Sequence, residues 1–176
     1  TFEDQKDTSD ITFLNGDSSL KELIEHDDVD VIISAISGFA GLKATYLAAS
    51  TGKKILLANK ESIVAGGDLI TARAKKFNSK IIPIDSEHNA IFQCLSGERS
   101  PDDVQKIIIT ASGGPFIGKK ISDLKDVTKD DALNHPNWDM GSKISIDSAT
   151  LVNKCLELIE AKYLFDLEES IFDLVI

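Results

Sequence analysis

Val29 to Lys60 reads VDVIISAISGFAGLKATYLAASTGKKILLANK, and this stretch decides the fold. Val29 to Ile33 is a short apolar run, Ala40 to Ser50 returns apolar residues at helical spacing, and Lys54 to Ala58 is apolar again. Strand, helix and strand joined by short connections form the unit of a right-handed parallel sheet. Upstream, Leu20, Leu23 and Ile24 predict a helix over 19–26 and Ile11 to Leu14 a short strand, with Asn15-Gly16 as the turn and a frayed polar start over 1–10. Downstream, a helix over 65–77 opened by Gly66 and Gly67 leads to IIPIDSEHNAIFQCL, Ile81 to Leu95, where a second domain is expected to begin. The fold class is therefore α/β, a parallel sheet of βαβ units followed by a unit of mixed strands and helices. That second unit adds a polar loop over 96–102, a strand over 106–110, two short polar helices at most over 122–133, and a closing strand in IFDLVI.

Composition limits the functions available. A chain of 176 residues with 42% hydrophobic content can bury a core. Its 29 acidic and 19 basic side chains give a net charge of −10, which repels nucleic acid and anionic membranes, so any phosphate has to be bound locally. The longest apolar runs, such as Ile107 to Ile109, are too short to span a bilayer, and the first residues lack a signal-peptide core. Cys94 and Cys155 lack metal-ligand spacing, fit a reducing compartment and read as buried thiols. Thr1 in place of Met, and an end at Ile176 within a strand-like run, read as a piece of a longer chain.

The chemistry collects at strand ends. Asp85 and Glu87, two apart after an apolar run, face the same way on extended backbone and can converge on one hard cation; the alternative is that Asp85 or Ser86 caps the following helix. Lys60, with Asn59 and Glu61, follows a strand at its carboxyl end, where open parallel sheets bind ligands, or else is a solvated strand-end charge. The turn at Ser37 to Gly41 offers backbone N–H groups to a phosphate or nicotinamide, or its glycines serve geometry only. Ser112-Gly113-Gly114 makes an anion nest or a tight turn. HPNWDMG, His135 to Gly141, sets the only Trp and the only Met in a loop, covering either the domain's own edge or a bound ligand. Lys143 to Phe165 predicts one helix capped by Asp147 or Ser148, with an apolar stripe of Ala149, Val152, Leu156, Ile159 and Leu164. Opposite that stripe Asn153, Lys154 and Glu157 cluster, either as a surface pair or with Glu157 as a third oxygen ligand for Mg²⁺ or Mn²⁺.

Four segments taken together carry a resemblance. LLANKES (56–62), PIDSEHNAIFQCL (83–95), TASGGPF (110–116) and HPNWDMGSKISIDSATLVNKCLELIEAKYLF (135–165) resemble, in order, the 1-deoxy-D-xylulose 5-phosphate reductoisomerases. The resemblance implies NADPH- and metal-dependent conversion of 1-deoxy-D-xylulose 5-phosphate to 2-C-methyl-D-erythritol 4-phosphate in non-mevalonate isoprenoid synthesis. Carbon–carbon cleavage and re-formation would precede reduction of a branched aldehyde. It also implies a partial Rossmann-like sheet over residues 1–80, the remainder of a dinucleotide domain. An α+β catalytic domain over 81–176 would follow, with residues 135–141 as a mobile lid.

The residue roles follow from that resemblance alone. Asp85, Glu87 and Glu157 would hold Mg²⁺ or Mn²⁺, and Lys60, Glu87 and His135 would be catalytic. Ser86, Ser112, His135, Ser148, Asn153 and Lys154 would bind substrate, with Lys60 on its reacting hydroxyls and Trp138 over it. Asn59, Glu61, Met140 and Gly141 would lie on the nicotinamide side of NADPH. The family's Gly-rich pyrophosphate turn has no counterpart here, so weak NADPH binding and little turnover are expected of this chain alone. A homodimer in the bacterial cytoplasm or plastid stroma is implied, with a sugar phosphate as the small-molecule partner. The competing functions are a metal-dependent sugar-phosphate binding module without redox activity and an unrelated Mg²⁺ phosphohydrolase.

Overall fold

The computed structural model describes residues 13–96 and 103–176. The expected frayed start, the first half of the strand over 11–14 and most of the polar loop over 96–102 lie outside the described residues. Phe13 and Leu14, the described half of that strand, are exposed and not in a strand.

In chain order the elements are α1 (Asp17–Glu25), β1 (Val31–Ser34), α2 (Leu42–Ala48), β2 (Lys54–Leu57), α3 (Lys60–Phe77), β3 (Lys80–Pro83), α4 (Ser86–Leu95), β4 (Ile107–Thr110), α5 (Lys129–Leu133), α6 (Ser142–Ala149), α7 (Val152–Phe165) and β5 (Phe172–Val175). Single 3-10 turns occupy Gly38–Gly41, Gly114–Phe116, Ile121–Leu124 and Glu169–Ile171. The first three strands pair in parallel in the order β1-β2-β3, with Val31 opposite Lys54 and Lys54 opposite Lys80. A separate parallel pair joins β4 to β5, Ile107 opposite Phe172. Because β3 hydrogen-bonds to β2, the Ile81-Ile82-Pro83 run completes the first sheet and α4 leads away from it.

One face of the three-stranded sheet builds the core. Ile55 and Leu57 of β2 meet Ala44 and Ala48 of α2 and Ile63, Ile70 and Ala74 of α3, with Ile24 of α1 closing the end. The opposite face is exposed along β1, where Ile33 is 66% exposed and Val31 stands in solvent, while its partners Leu56 and Ile82 are half-buried.

Two helices differ from expectation. α3 starts at Lys60, five residues before the predicted opening, because Asn59 caps it: its side-chain oxygen accepts from the Ser62 backbone N–H at 2.7 Å. Gly66 and Gly67 therefore lie inside the helix, Gly66 leaving helical geometry at φ −141° and Gly67 lying against the Tyr163 ring of α7. The predicted single helix over 143–165 is two helices, broken at Leu151, which takes the left-handed conformation at φ 60°. Gly141, not Asp147 or Ser148, precedes the first of them.

The face of α7 is also reversed. Lys154, Glu157, Glu160 and Ala161 are its buried residues, whereas Val152 and Ile159 of the predicted apolar stripe are exposed. The reason is tertiary: α7 packs on α3, whose first residue brings the Lys60 ammonium to meet the carboxylates. Cys94 and Cys155 are exposed, not buried.

Candidate functional site

The site is assembled where α3 and α4 begin and where α7 crosses them. β2 ends at Leu57, and Asn59, 2% exposed, fixes the next turn. Its amide donates to the Gly38 carbonyl at 2.9 Å and to that of Ile36, so its hydrogen-bonding groups are committed to the chain itself. Gly41 is required there, since a Cβ would lie 2.6 Å from the Ile36 oxygen and 2.9 Å from the Asn59 amide. Of the two glycines in the Ser37–Gly41 turn, Gly41 thus has a packing duty, whereas Gly38 lies in open space at φ 72°.

Lys60 is buried, not a solvated strand-end charge. Its ammonium donates to Asn153 Oδ1 at 2.9 Å and to Glu157 Oε1 at 3.2 Å. Lys154 donates to Glu157 Oε2 at 2.7 Å and to Glu87 Oε1 at 2.5 Å. Glu157, 1% exposed, therefore lies between two ammonium groups, and Asn153 donates to it as well. Lys154 and Glu157 are not the surface pair that spacing allowed. Burial alone would pull the Lys154 ammonium down, but Glu157 and Glu87 more than reverse this and hold it above the usual lysine range. Removing one partner of such a buried pair costs about 3–5 kcal/mol.

Asp85 joins an adjoining cluster. It occupies the residue before α4, yet makes no side-chain cap; its Oδ2 accepts from His88 Nδ1 instead. His88 is wholly buried, and its Nε2 donates to the Glu157 backbone carbonyl at 2.9 Å. Glu160 Oε2 lies 3.4 Å from the same Nδ1. Since a carbonyl and a carboxylate only accept, both ring nitrogens of His88 are donors. Burial pulls this imidazole down, but the Asp85 hydrogen bond and the Glu160 and Asp85 charges prevail and raise it. Burial pushes the Glu160 carboxyl up to about 8.

Glu87 and Glu157 converge on one ammonium, and Asp85 Oδ1 is buried with no hydrogen-bond partner. A hard oxygen set with one uncommitted carboxylate oxygen fits Mg²⁺ or Mn²⁺. Among the described residues, Asp85, His88 and Glu160 are the set of three ligand-type side chains with atoms within 4.8 Å of one another.

Eight of the candidates line two clefts. Ser112, Ser148, Asn153 and Lys154 line one small cleft together with Gly113 and Leu151. Gly114 has φ 66°, and a Cβ there would meet the Ser148 oxygen at 2.6 Å, so the glycine pair allows this turn to close on α6. His135 is buried; its Nδ1 accepts backbone N–H groups of Asn137 and Trp138 at 3.2 and 3.1 Å, and its Nε2 meets Ser112 Oγ at 3.0 Å. Asn59, Lys60, Glu61, Gly141 and Asn153 line a second cavity of about 370 Å³. Lys143 spans its wall, 2.6 Å from both Glu61 and Asp147. Burial would raise the Glu61 carboxyl, but Lys143 overrides it and holds it below the usual range. Ser86 is exposed, Met140 half-buried, and Trp138 65% exposed, so the indole does not cover the domain's own edge.

Sequence reasoning missed His88, Glu160 and Lys143. A signal existed for two of them: His88 is three residues after Asp85, and Glu160 three after Glu157, each on the same helical face.

A parallel βαβαβ sheet whose helices α3 and α4 meet α7 at Lys60, Glu87, Lys154 and Glu157, with Asp85 in the adjoining cluster, defines an α/β chain built around an oxygen-rich polar site. Family models for 1-deoxy-D-xylulose 5-phosphate reductoisomerase match residues 2–67, and for its C-terminal domain residues 81–165. The chain belongs to the 1-deoxy-D-xylulose 5-phosphate reductoisomerase family. It is 54% identical over 159 residues to the reductoisomerase of Francisella tularensis subsp. novicida, covering 89% of this chain and 41% of that protein. It is 52% identical to that of Chloroherpeton thalassium, covering 94% of this chain and 43% of that protein. A crystal structure of a reductoisomerase in complex with NADPH, fosmidomycin and magnesium superposes with a TM-score of 0.84 at 49% identity, over 90% of this chain and 41% of that one. The Zymomonas mobilis enzyme in complex with NADPH gives 0.80 at 45%, over 89% of this chain and 40% of that one. The chain thus spans about two fifths of the length of the relatives it matches. Among the described residues no helix is long and apolar enough to cross a membrane.

Proposed function

We propose that this chain supplies the metal- and substrate-binding part of an NADPH-dependent reductoisomerase acting on 1-deoxy-D-xylulose 5-phosphate. The observation that carries this reading is the buried network of Lys60, Asn153, Glu157, Lys154 and Glu87 beside the Ser112–Ser148 cleft. Family membership supports it, as does a structural neighbour solved with NADPH, fosmidomycin and magnesium.

In this reading Asp85, Glu87 and Glu157 hold Mg²⁺ or Mn²⁺, which when bound supplies Lewis-acid polarisation of substrate oxygens. The chain's own groups do the rest. Lys154, Ser112, Ser148, Asn153 and His135 bind the substrate phosphate through charge-assisted hydrogen bonds, and Ser86 contacts substrate beside the carboxylates. Lys60, aimed from the start of α3, contacts the reacting hydroxyls, and Glu87 takes part in proton transfer. Trp138 swings over the substrate from the 135–141 loop and excludes water. Glu61, Gly141, Met140 and Asn59 border the nicotinamide side of NADPH, in keeping with the 370 Å³ cavity that three of them share with Lys60. The division into a nucleotide part over 1–80 and a catalytic part over 81–176, a homodimer, and a cytoplasmic or plastid setting belong to the same proposal. The 176-residue chain alone is expected to show little turnover, because it spans 41% of its relatives' length.

The test is calorimetric titration of 1-deoxy-D-xylulose 5-phosphate into this chain with and without Mn²⁺, repeated with Glu157→Gln. Mn²⁺-dependent binding that the variant loses is the expected result. Binding that ignores both the metal and the substitution would refute the assignment. Strong substrate binding with no NADPH oxidation by an enzyme of full length would favour the binding-module alternative.

A further inference from the structure

The network described above leaves two buried side chains without a duty, His88 and Glu160. His88 is wholly buried at the start of α4, stacked on the Phe165 ring at 6.4 Å and 9°. It is also a bridge. One ring nitrogen holds Asp85 Oδ2, and the other, 2.9 Å from the Glu157 carbonyl, holds the backbone of α7. Asp85 and Glu157 come from segments 72 positions apart, and this imidazole is hydrogen-bonded to both residues. Glu160, 1% exposed, sits 3.4 Å from the same Nδ1 that holds Asp85. The consequence for Asp85 is specific: Oδ2 is taken by His88, and Oδ1 remains its uncommitted oxygen.

We infer that His88, backed by Glu160, is the positioning residue of the site, selecting which oxygen of Asp85 is offered to a divalent cation and locking that carboxylate to the helix that carries Glu157. The inference rests on the reading of Asp85 as a cation ligand. Groups that orient a ligand from behind typically change metal affinity by about 10- to 100-fold when they are removed.

The two amide replacements separate positioning from mere packing. His88→Asn keeps a donor where Nδ1 stood and can still hold Asp85, whereas His88→Gln keeps one where Nε2 stood and cannot. Mn²⁺ binding to the 176-residue chain, followed by the electron paramagnetic resonance of the free ion, is the readout, with circular dichroism melts to separate a lost fold from a lost site. H88Q should bind Mn²⁺ about 10- to 100-fold more weakly than the unaltered chain. H88N should fall between them, and the isosteric Glu160→Gln should weaken binding in the same direction. Unchanged affinity in H88Q and E160Q, with binding abolished in Asp85→Asn, would overturn the positioning role and leave Asp85 a ligand. Unchanged affinity in D85N, or no Mn²⁺ binding by the unaltered chain, would overturn the ligand reading and this inference with it. Binding abolished by E160Q and untouched by Glu157→Gln would put the cation on Asp85, His88 and Glu160 themselves, which also overturns the positioning role.

Discussion

Gly67 is where a single methyl group tests how the site is held. A Cβ there would lie 2.5 Å from both Cγ and Cδ2 of Tyr163 and 2.7 Å from Cδ1, at the base of the ring rather than at a flexible tip. Carbon atoms settle about 3.5–4.0 Å apart, so Gly67→Ala forces a retreat of about 1–1.5 Å between α3 and α7. Overpacking of this kind costs about 1–3 kcal/mol, while replacing a mid-helix Gly by Ala returns about 0.5–1 kcal/mol. The net loss is at most about 2.5 kcal/mol, which for a chain of this size lowers the melting temperature by up to roughly 10 °C. The same retreat draws Lys60 away from Glu157, now 3.2 Å apart, so Mn²⁺-dependent substrate binding weakens as well. Thermal unfolding by circular dichroism, paired with the calorimetric titration, measures both. A variant that melts higher than the parent and binds as tightly would refute the close α3–α7 packing.

Three further outcomes are expected. Glu160 binds its proton more tightly when folded, with a value of about 8 against an ordinary 4.5, so its contribution is fully present below about pH 4.5 and lost as pH rises towards 8. His88, also raised, acts in the same direction, and E160Q should therefore gain urea stability relative to the parent between pH 5 and pH 8; a difference that stays flat across that range would contradict the burial of the carboxyl. Trp138→Ala should leave the melting temperature almost unchanged, since the side chain is 65% exposed, yet weaken substrate binding. In the parent chain the emission of this single Trp should shift when substrate and Mn²⁺ are added together, and an unresponsive indole would argue against a covering role.

These strands were legible because parallel strands read as unbroken apolar runs: Val31 to Ile33, Ile55 to Leu57 and Ile107 to Ile109 need no tertiary context. The orientation of α7 was not legible. Its polar residues recur at the same helical period as its apolar ones, and only the arrival of Lys60 from 93 positions away makes the charged side the buried one. The break at Leu151 was hidden because glycine usually marks a left-handed residue, and leucine gives no such sign. Asp85 looked like a cap because capping is read from residue type and place, whereas its partner here was decided by the side chain three residues on. In the 370 Å³ cavity, Asn59, Lys60 and Glu61 were legible from their place at a strand's carboxyl end, whereas Gly141 came from family resemblance, since it lies on a segment that shares no periodicity with them.

The two cysteines have a practical use that their exposure creates. Cys94 lies on α4 and Cys155 on α7, the helices that carry Glu87 and Glu157, and both thiols face solvent. A chain with only these two thiols can be spin-labelled at both without altering its sequence. The distance between the labels would then report, molecule by molecule, whether the two carboxylate-bearing helices draw together when a cation or a sugar phosphate arrives.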